Sequence, residues 1–471
     1  MFTRNNQLAV VLGVTMCVGL GIQTVHAHDN DRFEINDRFG NNERPGRNKT
    51  PKNVILFIGD GMGISEVTLT RYYQYGVKGR MNLDKLKYTG FQTTWSLKPG
   101  AGPDYASDYT PDSASTGTMW ATGRKTIDER ISQGPSTALN VPGKNYQTIL
   151  EVFKAQGKRV GNVTTAEITD ATPAVLDSHI SLRSCQAPKN MTSCPTERKA
   201  VGGPGSIAEQ TVDHRVDVLL GGGKGRFDGT GGLIEGGPDT GRTVLDSAQR
   251  QGYKIISTKS ELDALPWRNL PVLGLFTPGN MTTEWTGPVA TLGDGVPAHA
   301  CTTDNRPSNE PSLAAMTKKA IDLLDHSPHG FFLQVEGASI DKQDHAANAC
   351  AQLGETVAFD EAIGVALSFL ERNPDTLIIV TADHSHTSQI VGEDTSGNGN
   401  PTGYSDNLIT REGQVMRVTY GTAGGVDRPL ASQLSQQHTG AAVPIWAEGP
   451  GAEAILGTTD HTDLFWILQG K

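Results

Sequence analysis

Residues 52–61 read KNVILFIGDG. Five apolar residues stand in a row, Val54 to Ile58, and a Gly-Asp-Gly turn carrying one carboxylate closes them. A continuous apolar run bounded by turn residues fits a strand covered on both faces, as in a parallel sheet; a strand with one wet face would alternate. Three further stretches have the same form: KRVGNVTTAEITD (158–170), HGFFLQVEGASID (329–341) and DTLIIVTADHSH (375–386). Between them lie helical patterns, YQTILEVFKAQG (146–157) and PSLAAMTKKAIDLLDHS (311–327). Strand–helix alternation predicts an α/β fold: a doubly wound, mostly parallel central sheet flanked by helices.

Two segments interrupt the alternation. One lies at about 195–300, where GGGKGRFDGTGGLIEGGPDTGR (221–242) is mostly loop, and its Lys224 lacks the Ser or Thr of a phosphate-binding loop. The other, about 392–430 around QVMRVTYG, predicts a small β excursion near the site. The chain has 471 residues, a net charge of −10 and no Lys/Arg run, which argues against a nucleic-acid-binding surface. A protein so acidic that handles an anionic substrate must supply positive charge locally, by metals or a few placed arginines.

At the N-terminus Arg4, the apolar stretch LAVVLGVTMCVGL and Val25-His26-Ala27 predict a signal peptide over 1–27, too short for a membrane span. Residues 28–50, with a repeated NDRF, have too little apolar surface to bury and predict a polar arm. The expected catalytic domain is 51–471. Cys17 falls in the leader, leaving Cys185, Cys194, Cys301 and Cys350. An even count in an exported protein predicts two disulfides. Three pairings are open, and near neighbours, Cys185–Cys194 with Cys301–Cys350, are the simplest. No CxxC pair supports a cysteine zinc site.

All four strand candidates end in metal-ligand residue types: Asp60; Glu167 and Asp170; Glu336, Asp341 and His345; Asp383, His384 and His386. A single such Asp is usually a cap or turn former. Four strands ending this way point instead to the crevice beyond the carboxyl ends of an open sheet. Carboxylates mixed with imidazoles suit zinc, or zinc beside magnesium. Asp341 and His345 share one face if a helix starts there, whereas Asp383 and His384 can share a site only where the strand has ended. In DYTPDSASTGTMWATG (108–123), Thr110 as cap, Pro111 at the first position and Asp112 in the first turn predict a helix start, which places Ser113 where an anion is favoured. No G-x-S-x-G elbow or nearby histidine supplies Ser113 with a base.

Taken together, NVILFIGDGMG, PDSAS, TAEITDATPA…SHISLR, VEGASIDKQDHAANAC, VTADHSHTSQI and QQHTG resemble the successive motifs of the bacterial periplasmic alkaline phosphatases, from about Lys52 to the C-terminus. The resemblance is most specific at Gly337–Cys350 and Thr381–Ile390 and weak over 195–300. It implies that Ser113 is the nucleophile, forming a phosphoserine. It implies that Asp341, His345 and His438 hold one zinc, that Asp60, Asp383 and His384 hold a second, and that Asp170, Thr172 and Glu336 hold a magnesium to which Asp60 bridges. Arg183 would grip phosphate, Lys342 would reach it through water, and His386 would support zinc from outside. The implied protein is a broad-specificity hydrolase of small phosphate monoesters with two Zn2+ and one Mg2+ per chain, periplasmic or secreted and homodimeric. A phosphodiesterase or sulfatase on the same metal scaffold, or a non-catalytic binding protein, is the alternative. The chain departs from the family pattern in a longer lead into PDSAS and in its NDRF arm, neither of which touches an expected ligand.

Overall fold

The apolar run at 54–58 forms the middle of a ten-stranded sheet because it can be covered on both faces. Val54, Leu56 and Ile58 enter one core cluster, Ile55 and Phe57 the other, and none is exposed. The computed structural model describes residues 50–392, 403–423 and 435–471. The expected signal peptide, nearly all of the arm and two pieces of the 392–430 insertion therefore lie outside the described residues.

The main-sheet strands in chain order are β1 (Asn53–Gly59), β2 (Tyr88–Thr93), β3 (Arg159–Glu167), β4 (Val218–Gly222), β5 (Lys254–Ile256), β6 (Val272–Leu275), β7 (Phe331–Gly337), β8 (Thr376–Ala382), β9 (Val443–Glu448) and β10 (Gly457–Asp460). Their spatial order is β10-β2-β9-β8-β1-β7-β3-β4-β6-β5. Only β9 runs against the rest, pairing antiparallel with both β8 and β2. β1 lies between β7 and β8, parallel to each, with Gly59 level with Gly337 and with Ala382. Chain reversal about β1 opens a crevice at the strand C-termini, where an α/β sheet binds ligands. The predicted fold class holds.

The helices follow their local signals. Among them are α1 (Ile64–Thr70), α2 (Ser113–Thr122), α3 (Ala171–Ala174), α4 (Leu313–Leu324), α5 (Ser339–His345) and α6 (Ala349–Leu370). Ser312 caps α4 through the amide of Ala315, as the polar–apolar boundary there predicts. α6 buries most of its first half, and Phe359 meets Phe57 edge-on beneath the sheet. A second, smaller sheet combines Ser388–Val391, Tyr404–Ile409 and Val415–Tyr420 with Val296–His299 and Thr291–Leu292. Both disulfides pair near neighbours, Cys185–Cys194 and Cys301–Cys350. Among the described residues no helix is long and apolar enough to cross a membrane.

Candidate active site

Four adjacent strands, β8, β1, β7 and β3, bring carboxylates and imidazoles to one place from the segments at their C-terminal ends, except that Glu167, the last residue of β3, pairs with Arg226 at 2.7 Å instead. β1 ends at Gly59, so Asp60 is the first residue beyond it; β8 ends at Ala382, so Asp383 and His384 follow immediately. The backbone has left the strand there, as their joint use of one site requires. Asp383 Oδ1 accepts from the amides of Gly61 and His384, both at 2.9 Å. Gly61 is fixed at φ +67°, and a Cβ there would meet the His386 ring at 2.6 Å. A side chain at 61 would therefore break the turn and displace His386.

The opening of α2 corrects the expected cap. Asp112, not Thr110, is the N-cap: it is extended, and its Oδ1 accepts from the Ser115 amide at 3.0 Å. The helix begins at Ser113, two residues later than Pro111 at the first position would place it. Asp112 and Thr110 are both good cap types, but Asp112 is also drawn by Arg183 and by the Glu129 amide (3.2 and 3.1 Å). Ser115 and Thr116 turn their hydroxyls to the Asp112 carbonyl, and although Thr116 also reaches Asp383 at 3.5 Å, Ser113 has the closer approach to the ligand groups. Its Oγ lies 3.4 Å from Asp60 Oδ1 and 3.2 Å from His384 Nε2.

Two ligand groups meet here. Asp60, Asp383 and His384 place one ligand atom each within 4.8 Å of one another. Beside them Asp341 Oδ1 lies 3.3 Å from His345 Nε2 and 3.4 Å from His438 Nε2, and the two imidazole nitrogens are 3.0 Å apart. The helix α5 supplies Asp341 and His345 at the expected i, i+4 spacing. Backbone carbonyls hold the rings: His345 Nδ1 donates to Gln436 and His438 Nδ1 to Pro111, at 2.5 and 2.9 Å. Each ring thus presents Nε2 inward, the orientation a metal ligand needs. His386 Nε2 lies 2.6 Å from Asp341 Oδ1. It shares a 4.8 Å group with Asp341, His384 and His438, and its Nδ1 faces Gln436 Nε2 at 3.3 Å.

The third expected set is looser. Glu336, next to the last residue of β7, takes a hydrogen bond from Thr164 at 2.5 Å; Thr172 Oγ1 is buried without a hydrogen-bond partner. Asp170 caps α3 and is tied to Lys342 at 2.8 Å and to Arg183 at 2.9 Å. Arg183 therefore spans Asp112 and Asp170 with its two terminal nitrogens. Sequence reasoning missed Asp112 as that partner, although an Asp directly before the helix is a recognisable signal. It also missed Gln436, which no spacing marks.

The electrostatics of the polypeptide alone are unfavourable in one direction. Burial pushes the Asp60 carboxyl well above its usual range, and Asp383, Asp341 and Glu336 add to this. Burial lifts Glu336 to about 7. Burial, then the neighbouring imidazoles, hold His384 well below its ordinary value. Asp341 goes the other way, because hydrogen bonds from His386 and His438 outweigh its burial. A buried crowd of carboxylates beside the His384 and His386 imidazoles, which burial holds neutral, is a donor set that a multivalent cation completes.

Comparison with known proteins agrees with this geometry. The alkaline phosphatase family profile matches residues 51–433, ending just short of His438. The chain is 46% identical to a streptomycin-6-phosphate phosphatase of Streptomyces griseus, over 88% of this chain and 89% of that protein. It is 44% identical to an alkaline phosphatase of Escherichia coli, over 89% of this chain and 85% of that one. Among solved structures, alkaline phosphatase from Thermus thermophilus shares the fold with a TM-score of 0.65 at 22% identity, covering 90% of this chain and 92% of the other. The chain belongs to the alkaline phosphatase family, metal-dependent enzymes that hydrolyse phosphate monoesters.

Proposed function

We propose that Ser113 is the nucleophile of an exported, broad-specificity phosphomonoesterase that works through a phosphoserine. The observation carrying this is the position of Ser113 Oγ at the first residue of a ten-residue helix, within 3.4 Å of Asp60 and 3.2 Å of His384. The donor sets fit the metals. Asp341, His345 and His438 would hold one zinc, Asp60, Asp383 and His384 a second, and the oxygen donors Asp170, Thr172 and Glu336, with Asp60 bridging, a magnesium. The unpartnered Thr172 hydroxyl and the strained charge of Asp60 are what an added cation would relieve. When bound, these ions supply the positive charge that activates an oxygen nucleophile and neutralises a phosphoryl group in transfer.

The remaining steps belong to the chain. Ser113 Oγ forms the new bond to phosphorus as the ester oxygen departs, and water then takes the phosphoryl group, releasing inorganic phosphate and restoring the hydroxyl. The N-terminus of α2 faces the anion with its dipole. Arg183, fixed by Asp112 and Asp170, presents its planar fork to two phosphate oxygens. Lys342, docked on Asp170, adds positive charge within reach of a water on the phosphate. We assign export to the periplasm, supported by the leader-like N-terminus and two disulfides, and a homodimer.

The test is kcat/KM for p-nitrophenyl phosphate against bis-p-nitrophenyl phosphate, with Ser113→Ala measured alongside. A strong preference for the monoester, lost by at least ~10³-fold in Ser113→Ala at unchanged metal content, is expected. Preference for the diester, or a fully active Ser113→Ala, would sink the assignment.

A further inference from the structure

A second gathering of metal-type ligands stands apart from the residues assigned above. Glu151, His179 and His214 each place one ligand atom within 4.8 Å of the others. They come from three separate elements: Glu151 from the helix Ile149–Ala155, His179 from the segment after α3, and His214 from the C-cap of the helix Ile207–Asp213.

The hydrogen bonding fixes which atoms face inward. His179 Nδ1 lies 3.0 Å from the Ser132 carbonyl and His214 Nδ1 2.9 Å from the Gln210 carbonyl. A carbonyl can only accept, so both Nδ1 atoms carry the proton and both rings, if neutral, present a bare lone pair at Nε2. Both Nε2 atoms nevertheless point at one oxygen, Glu151 Oε1, at 3.3 and 3.2 Å. The other oxygen, Oε2, is engaged with the Thr148 amide in a capping box. Two lone pairs and a carboxylate oxygen cannot converge unless a positive charge lies among them.

One divalent cation meets that need without charging two imidazoles at neutral pH. The spacing suits it, since ligands ~2.0–2.1 Å from a tetrahedral zinc sit about 3.3–3.4 Å from each other. Anchoring of Nδ1 on a backbone carbonyl is the usual support of a ligating histidine. The side chains of Glu151 and His214 are each 27% exposed and that of His179 10%, so an ion could enter and keep a water. The surroundings favour a cation. Asp177, fully buried with Oδ2 unpartnered, acts electrostatically on His214, and the nearby Lys154 ammonium is turned to the carbonyls of His214 and Arg215.

We propose that Glu151, His179 and His214 form a structural zinc site that clips the helix Ile149–Ala155 to the helix Ile207–Asp213 through the segment bearing His179.

The experiment counts zinc in purified full-length protein equilibrated with zinc and magnesium and then desalted, comparing wild type with His214→Ala and His214→Gln. Wild type should hold one zinc per chain more than either variant, while hydrolysis of p-nitrophenyl phosphate stays within twofold. Zinc added beyond saturation of the active site should raise the thermal midpoint of wild type and leave the variants unmoved. Because the readout is a difference between chains, it does not depend on how many metals the Ser113 site holds. Equal zinc counts in wild type and a folded His214→Gln would overturn the proposal and assign Glu151 to two imidazolium ions instead.

Discussion

Glu66 offers a quantitative test of how the ligand helix is supported. It lies on α1, fully buried, against Asp344 of α5, whose Oδ1 takes a hydrogen bond from Ser388 at 2.7 Å. Tyr420, also buried, faces both carboxyls. Burial pushes Glu66 from 4.5 to about 7. Burial, and then the charge of Glu66, also hold Asp344 well above its usual range. An acid whose folded pKa is raised binds its proton more tightly in the folded state. Unfolding free energy therefore falls as pH rises from about 4.5 through about 7 and is level above that. At about 1.4 kcal/mol per pH unit the whole effect is roughly 3 kcal/mol. Glu66→Gln keeps the shape and removes the titration. Urea unfolding of metal-saturated wild type and variant, from pH 5 to 9, should give similar midpoints at pH 5 and a more stable variant at pH 8. The other titrating groups are common to both chains, so the difference reports Glu66 together with the part of the Asp344 shift that its charge causes. A variant whose stability falls with pH in parallel with wild type, or which is the weaker of the two at pH 8, would refute the reasoning.

Arg183→Lys removes the fork that spans Asp112 and Asp170; losing one charge-assisted hydrogen bond of about 1.5–3 kcal/mol should lower kcat/KM for p-nitrophenyl phosphate by about 10–100-fold. Glu129 sits at φ +67° with its carboxyl pushed up by burial and by Asp112. Glu129→Gly should relieve roughly 1 kcal/mol or more of backbone strain and raise the thermal midpoint. His386→Ala takes away the 2.6 Å hydrogen bond to Asp341. It should weaken zinc retention about 10–100-fold, read by chelator competition, with activity regained in excess zinc.

What was legible in the sequence is what burial and chain direction impose. Val54–Ile58, Phe331–Val335 and Leu377–Val380 had to be covered on both faces, so a parallel sheet followed, and the residues just past each run had to gather at one edge. Asp60, Asp341, Asp383 and His384 were visible for that reason, and His345 because a helix of i, i+4 spacing could start at once. The reversed direction of β9 was not visible, since VPIWAE is as apolar as its parallel neighbours and an apolar run carries no sign of its direction. The cap at Asp112 was not decided locally either. Two acceptable caps lie two residues apart, and the choice between them is made by Arg183, 71 positions away.

His438 and the Glu151 cluster mark the boundary from the other side. The loop at 436–439 is held by backbone contacts: the Gln436 carbonyl takes His345 Nδ1, the Pro111 carbonyl takes His438 Nδ1, and Thr439 bridges to Ser385. Such contacts use groups that every residue has, so they leave no trace in residue type, and only the resemblance reached His438. Glu151, His179 and His214 have no comparable motif. Glu151 reads fully as the acidic partner of a capping box, and it is one. A carboxylate has two oxygens, however, and the box uses only Oε2. The free oxygen gains a second role because two rings from distant segments have already turned their Nδ1 atoms to backbone carbonyls. That site depends on the fold being complete, which is why a local reading of YQTILEVFKAQG stops at the helix cap.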